Sequence, residues 1–397
     1  MQKTEKNIVI PARIFALMQR MEEQGEEIYL VGGCLRDLLL GKTPNDYDLA
    51  TSALPQKTVD VFFDHRVITT GLKHGTVTVM AEGEPIEITT FRIDGSYSDA
   101  RHPDGVTFTR RIEEDLSRRD FTVNAMAYHP SVGLVDPFLG KEDLNQKILR
   151  TVGEPTVRFE QDALRILRAF RFSAQLNFEI EEKTLEGCFK SKSGLTKVAK
   201  ERISAEFLRL LLSKNPEKSL KQMIQTEVAS FVFGEYRPSE QIFEVISQIS
   251  AVDTARLGCF FAECEETQRK EILESLKYSK KQILGACAVA KGAKRAILTP
   301  ADARRLMAEC GEYAKDACQA SVLFRHSPKT AMDWISEQGA ATKISDLKIS
   351  GSELIALGYS GREIGTMLQE LLELVLEDPC LNQTEKLLEI IEKKYKS

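Results

Sequence analysis

Residues 28–51, IYLVGGCLRDLLLGKTPNDYDLAT, admit few folds. The apolar run Ile28–Val31 reads as a buried strand. A Gly-Gly turn leads into a helix from about Cys34 to Leu40, which Gly41 stops. YDLAT is a second strand. Strand, helix and strand in so short a span bring Gly32-Gly33 and Asp46-Tyr47-Asp48 to one sheet edge. In an extended segment residues i and i+2 face the same side, so Asp46 and Asp48 are expected to present their carboxylates together. Paired hard oxygens suit Mg²⁺, and two such ions can activate an attacking hydroxyl and neutralise a leaving diphosphate. Glycines let a phosphate approach the backbone, the N-terminus of a helix favours an anion, and an arginine can add a fork. Gly33 and Arg36 are therefore read as phosphate contacts, and Asp46 and Asp48 as metal ligands for a bound nucleoside triphosphate. Alone, an Asp-x-Asp is far more often a plain surface turn; its neighbours argue otherwise.

At 397 residues the chain needs two to four units. The first 150 or so read as α+β with a small mixed sheet, built from this stretch, Val67-Ile68, Thr76–Met80 and Ile86–Phe91, with a turn at Gly83-Glu84-Pro85. After about Gly153 the period is helical almost throughout. The expected division is a head at 1–152, a helical neck at 153–230, a helical body at 231–340 and a helical tail at 341–397, the all-α part being elongated. Eight scattered cysteines without a CxxC pair read as buried thiols. No apolar run has the length of a membrane span and no secretory leader is recognised, so the chain is expected to be cytoplasmic. A net charge of −5 does not advertise a nucleic-acid binder, although a local basic face can serve. No protein partner is evident.

The pattern GG-x3-D-x8-DxD in LVGGCLRDLLLGKTPNDYDLAT resembles the active-site signature of the class II tRNA nucleotidyltransferases (CCA-adding enzymes) and bacterial poly(A) polymerases. These belong to the polymerase-β-like nucleotidyltransferase superfamily. The resemblance extends to RRDFTVNAMA at 118–127, DPFLGKEDLNQKILRTVG at 136–153, QDALRILRAFRFSAQL at 161–176 and ERISAEFLRLL at 201–211, in family order. It implies a polymerase-β-like head. It also implies that Glu87, on a strand beside the Asp-x-Asp strand, is a third acid. Arg119 is read as a triphosphate contact, Asp120 as an acceptor for ribose hydroxyls and Asn124 as a brace for the turn. The competing reading of this segment is a salt bridge from Arg118 or Arg119 to Glu113, Glu114 or Asp115.

Base choice is read on the fourth stretch. On a helix Asp162 and Arg165 are i and i+3 and share a face. A carboxylate only accepts and a guanidinium only donates. Cytosine and adenine each show an amino donor beside ring acceptors, so such a pair can stand in for a Watson–Crick partner of either. Uracil and guanine place a ring N–H where the arginine donates, at about 1–3 kcal/mol per unpaired group. Arg168 and Arg171 follow at spacing three and are read as reaching the triphosphate. The family usually has Glu before this Asp; here it is Gln161, which accepts a hydrogen bond without charge. Loop 93–107, with Arg101 and Asp104, is proposed as a lever between C and A addition. Lys190, Lys192, Lys197, Lys200 and Arg202 form a basic cluster that fits either an RNA backbone or a solvated face. The resemblance implies addition of CCA to tRNA from CTP and ATP with Mg²⁺, and a tail that contacts the tRNA elbow. An A-adding-only enzyme and a poly(A) polymerase remain the alternatives.

Overall fold

The computed structural model describes residues 8–95, 106–337 and 339–395. The chain forms two compact units, residues 1–206 with 218–232, and 207–217 with 233–397.

In the first unit, helix α1 (Ala12–Glu22) precedes strand β1 (Ile28–Val31), helix α2 (Gly32–Leu39) and strand β2 (Asp48–Thr51). Helix α3 (Pro55–Val61) then leads to β3 (Val67–Ile68), β4 (Thr76–Ala81) and β5 (Glu84–Thr90). A short pair, β6 (Arg92–Asp94) and β7 (Val106–Phe108), and helix α4 (Ile112–Ser117) come before β8 (Ala127–His129) and β9 (Gly133–Val135). The main sheet has seven strands in the order β3-β4-β5-β2-β1-β8-β9. It is mixed, because β2 and β5 run parallel and the other neighbours antiparallel. Alternation along β1 serves both faces. Ile28 and Leu30 join Met18, Leu35, Leu49 and Phe62 in one core, while Tyr29 and Val31 join Phe91, Ile112 and Leu116 in another. The β4–β5 turn is Glu82-Gly83, both at positive φ, the geometry that matches strand twist. Glu84 and Pro85, expected in that turn, already belong to β5. Pro85 is tolerated because β2 pairs with β5 only from Glu87 onward.

Helix α5 (Gly140–Gln146) and β10 (Ile148–Leu149) close the head. Next come α6 (Pro155–Gln161), α7 (Leu164–Leu176), β11 (Glu179–Ile180), α8 (Glu182–Ser191) and α9 (Lys200–Leu211). The α6–α7 junction differs from the expected continuous helix. Asp162 lies between the two in an extended conformation (φ −146°, ψ 103°). Its carbonyl accepts from Arg165 N and its Oδ1 from Leu164 N, so it opens α7 as a cap does.

The second unit is helical over its described residues. Helices Asp253–Phe260, Lys280–Ala293 and Ala314–Leu323 meet closely. A Cβ on Gly285 would stand 2.5 Å from Thr254, so only glycine permits that approach. Phe207, Phe233, Phe260 and Phe261 form an edge-to-face and tilted cluster, and Tyr236 donates its buried hydroxyl to Phe260 O. A separate core forms on Arg362–Glu377, through Met367, Leu371 and Val375. Among the described residues no helix is long and apolar enough to cross a membrane.

Candidate active site

The site grows from the start of α2. Val31 gives α2 no side-chain cap, so its first-turn N–H groups keep their anion preference. Gly32 sits at φ +73°, and a Cβ there would come within 3.1 Å of Arg119 Nη1. Asp48 is the first residue of β2 and is half-buried, while Asp46 is exposed and precedes the strand. The two acids are therefore not two rungs of one strand, as the i, i+2 argument expected. A bend holds Asp46, yet both residues line the same cavity. Burial, then the charges of Asp46 and Glu87, push the Asp48 carboxyl up to about 6, with Arg119 pulling the other way. Glu87 stands opposite Asp48 in the parallel register, is exposed, and does not line the cavity.

The cavity has a volume of about 560 Å³, within the range of small-ligand sites. Its lining joins Gly32, Gly33, Arg36, Asp46 and Asp48 to Arg118, Arg119, Asp120 and Asn124. Asp162, Arg165, Arg168, Phe172 and Arg202 complete the wall from the helical side. Both groups of candidate residues thus face one space within the first unit.

The arginines and the polar residues between them are held by definite partners. Arg36, 8 % exposed, donates to Asp37 Oδ1 and, at 2.7 Å, to Asn124 Oδ1. Asn124 also reaches Asp120 Oδ1, bracing the short turn 122–124. Arg118 and Arg119 both pair with the buried Asp115, so the salt bridge that competed with a phosphate role is present. Arg119 nonetheless lines the cavity, and its buried Nε has no partner. Asp120 is buried, which alone would raise its pKa. The charges of Arg168 and Arg165 reverse this and hold it at about 2. Arg168 donates to Asp120 Oδ2 at 2.7 Å.

Asp162 and Arg165 do not pair with each other as a helical i, i+3 couple. Asp162 Oδ2 accepts from Arg202 at 2.8 Å. The Arg165 guanidinium is fixed by Gln161 Oε1 at 2.9 Å, Arg158 O and Arg118 O. Gln161 Oε1 accepts from Arg158 as well, so the neutral amide serves two arginines. Arg171 is placed elsewhere: it pairs with Glu206 in the interior and does not line the cavity. The reason is the α-helical angle, since three-residue steps drift around the axis and the third arginine turns towards α9.

Sequence reasoning placed neither Arg202 nor Phe172 in the nucleotide site, although both lie in the quoted stretches. Arg202 was legible only as part of a basic cluster. Elsewhere in that cluster Lys190 pairs with Glu186 and Lys192 with Glu227. Of loop 93–107, residues 96–105, with Arg101 and Asp104, lie outside the described residues.

The donor set suits a hard divalent cation, because Asp46 and Asp48 offer carboxylate oxygens whose mutual repulsion Arg119 offsets only in part. Among the described residues no three His, Cys, Asp or Glu side chains are grouped to hold a metal alone. Two carboxylates need further oxygens, which a triphosphate carries.

Residues 28–150 match the poly A polymerase head domain, 177–239 the "Probable RNA and SrmB- binding site of polymerase A", and 255–391 the tRNA nucleotidyltransferase domain 2. The CCA-adding enzyme of Leuconostoc mesenteroides is 34 % identical, over 94 % of this chain and 93 % of the relative. That of Limosilactobacillus reuteri is 36 % identical, over 96 % of each. The Bacillus stearothermophilus CCA-adding enzyme, solved in complex with CTP, superposes with a TM-score of 0.81 at 27 % identity, over 97 % of this chain and 98 % of that one.

Proposed function

We propose how the cavity works from the premise that the chain belongs to the CCA-adding tRNA nucleotidyltransferase family, as its full-length relatives and domain matches establish. The protein is a nucleotidyltransferase that adds CCA to the 3′ end of tRNA from CTP and ATP, without a template. The observation that carries the assignment of roles is that the paired acids and the Asp162–Arg165 set line one cavity.

In this reading the terminal ribose hydroxyl of tRNA attacks the α-phosphate and diphosphate leaves. Arg36, Arg119 and Arg168, with the first-turn N–H groups of α2 at Gly33, bind the triphosphate. Asp120 accepts from the ribose of the incoming nucleotide. Asp162 accepts from the base amino group and Arg165 donates to the ring acceptor, which admits cytosine and adenine and rejects uracil and guanine. Asn124 keeps Arg36 and Asp120 in register. Asp46 and Asp48 would hold a first cation, for which Mg²⁺ is the proposed identity, with Glu87 adding negative charge next to them. When bound, that ion would lower the pKa of the attacking hydroxyl, and a second ion, held with the triphosphate, would offset charge on the leaving diphosphate. The head (1–152) supplies the chemistry and the neck (153–230) the base reading; the body (231–340) and tail (341–397) are assigned to tRNA.

The test offers CTP or ATP separately to tRNAs ending at the discriminator base, at C and at CC. Two C additions, then one A, then arrest, are expected. A addition only to the CC end identifies the A-adding enzyme. Long A tails on unrelated RNA identify a poly(A) polymerase and overturn the reading.

A further inference from the structure

Phe172 lines the cavity, is 8 % exposed, and has three guanidinium groups over its ring. Arg171 lies 3.9 Å from the ring centroid, Arg168 5.1 Å and Arg36 5.5 Å. These arginines come from α2 and α7, and each is also tied to a different acid: Arg36 to Asp37, Arg168 to Asp120 and Arg171 to Glu206. Phe121 packs edge-on against the same ring at 5.8 Å and fixes its plane. An aromatic face attracts cations through its quadrupole and carries no net charge. It can therefore gather guanidinium groups that would otherwise repel, without neutralising them as another carboxylate would. An aliphatic side chain of similar volume fills the space and gathers nothing.

We infer that Phe172 is a positioning residue for the triphosphate: its ring sets the spacing of Arg36 and Arg168 so that the N–H groups not taken by Asp37, Asn124 and Asp120 converge on phosphate oxygens. This rests on the reading of the cavity as a CTP and ATP site and specifies which part of the nucleotide the ring serves. The ring acts through the arginines and does not stack on the base.

Binding to the full-length protein separates these statements. Affinities for CTP, ATP and inorganic tripolyphosphate are measured calorimetrically for wild type, Phe172→Leu and Phe172→Tyr, with ligand-free thermal melts of each. Phe172→Leu is expected to weaken all three ligands by a similar factor, about tenfold for one to two lost cation–π contacts. Phe172→Tyr, which keeps the face, is expected to recover most of that loss, and a melt of Phe172→Leu that stays cooperative excludes general unfolding. Should the leucine variant fail to fold, the tyrosine variant and Phe172→Met carry the comparison, with Met expected to behave as Leu. Loss of CTP or ATP affinity with unchanged tripolyphosphate affinity would make the ring a base platform and overturn the inference. So would unchanged affinity for all three ligands in a folded leucine variant. If wild type binds neither CTP nor ATP, the reading of the cavity fails first, before any variant is compared.

Discussion

Asp48 shows what the site costs the fold at the level of one residue. A half-buried carboxylate beside Asp46 and Glu87 is retained where the folded state would be more stable without it. Asp48→Asn is expected to lower kcat by on the order of 10²–10³ while raising stability in EDTA at pH 7 by about 1–2 kcal/mol. A single-turnover assay and a denaturant titration check the pair of outcomes, and a destabilised variant would show that the charge is compensated. Asp120 behaves oppositely. Its carboxyl is held at about 2, below the unfolded value of roughly 3.9, so its ionic contribution is present above pH 4 and fades as pH falls through 2. Asp120→Asn should therefore cost about 2–3 kcal/mol at pH 7, and the gap to wild type should close between pH 4 and 2. A gap independent of pH would mean that packing, not the Arg168 pair, is responsible. That Asp46, Asp48, Arg36 and Asp120 come together was legible because each stands in a short quoted stretch, although a bend at Asp46 replaces the strand register expected there. Asp162 was only half legible. Its type was informative, but its carboxylate is held by Arg202, forty residues away, and no local periodicity reports such a partner.

Among elements, α6, α7 and α9 form the wall opposite the sheet, and their junctions decide which arginines face the cavity. Arg171 was expected on the phosphates and is found paired with Glu206 of α9 in the interior. Removing one partner of such a pair leaves a buried charge unmatched, so Glu206→Gln should destabilise by about 3–5 kcal/mol. Base choice at the 3′ end should be unaffected, as read by the C-to-A misincorporation ratio; a changed ratio would return Arg171 to the nucleotide. The strands were read more surely than the helix junctions. The alternation of β4 and β5 survives in their burial, with Ile86 and Ile88 buried and Glu87 exposed. The turn between them moved back to Glu82-Gly83 because two residues with positive φ match strand twist better than a loop holding Pro85. The break at Asp162 had only a weak local signal: Asp is a common helix opener, but Gln161 and Ala163 on either side occur readily in helices.

Over the whole molecule, a chain of net charge −5 carries a cavity walled by Arg36, Arg118, Arg119, Arg165, Arg168 and Arg202. Overall charge was thus a poor guide to an anionic substrate, and placement was the informative quantity. The change of period near residue 153 coincides with the passage from the seven-stranded sheet to mostly helical elements. The division into units is not visible in it, because residues 207–217 group with 233–397 while 218–232 group with 1–206, an exchange that sequence composition does not record. The central claim is that side chains of this cavity, and no nucleic-acid template, choose the base. The most direct measurement is the ratio of correct to incorrect incorporation, CTP against UTP and ATP against GTP, for Arg165→Ala on tRNA ends matched to each step. The ratio should fall by at least about tenfold, the worth of one buried donor–acceptor mismatch, while tRNA affinity stays within twofold. A variant that still adds nucleotides with wild-type selectivity would contradict the account.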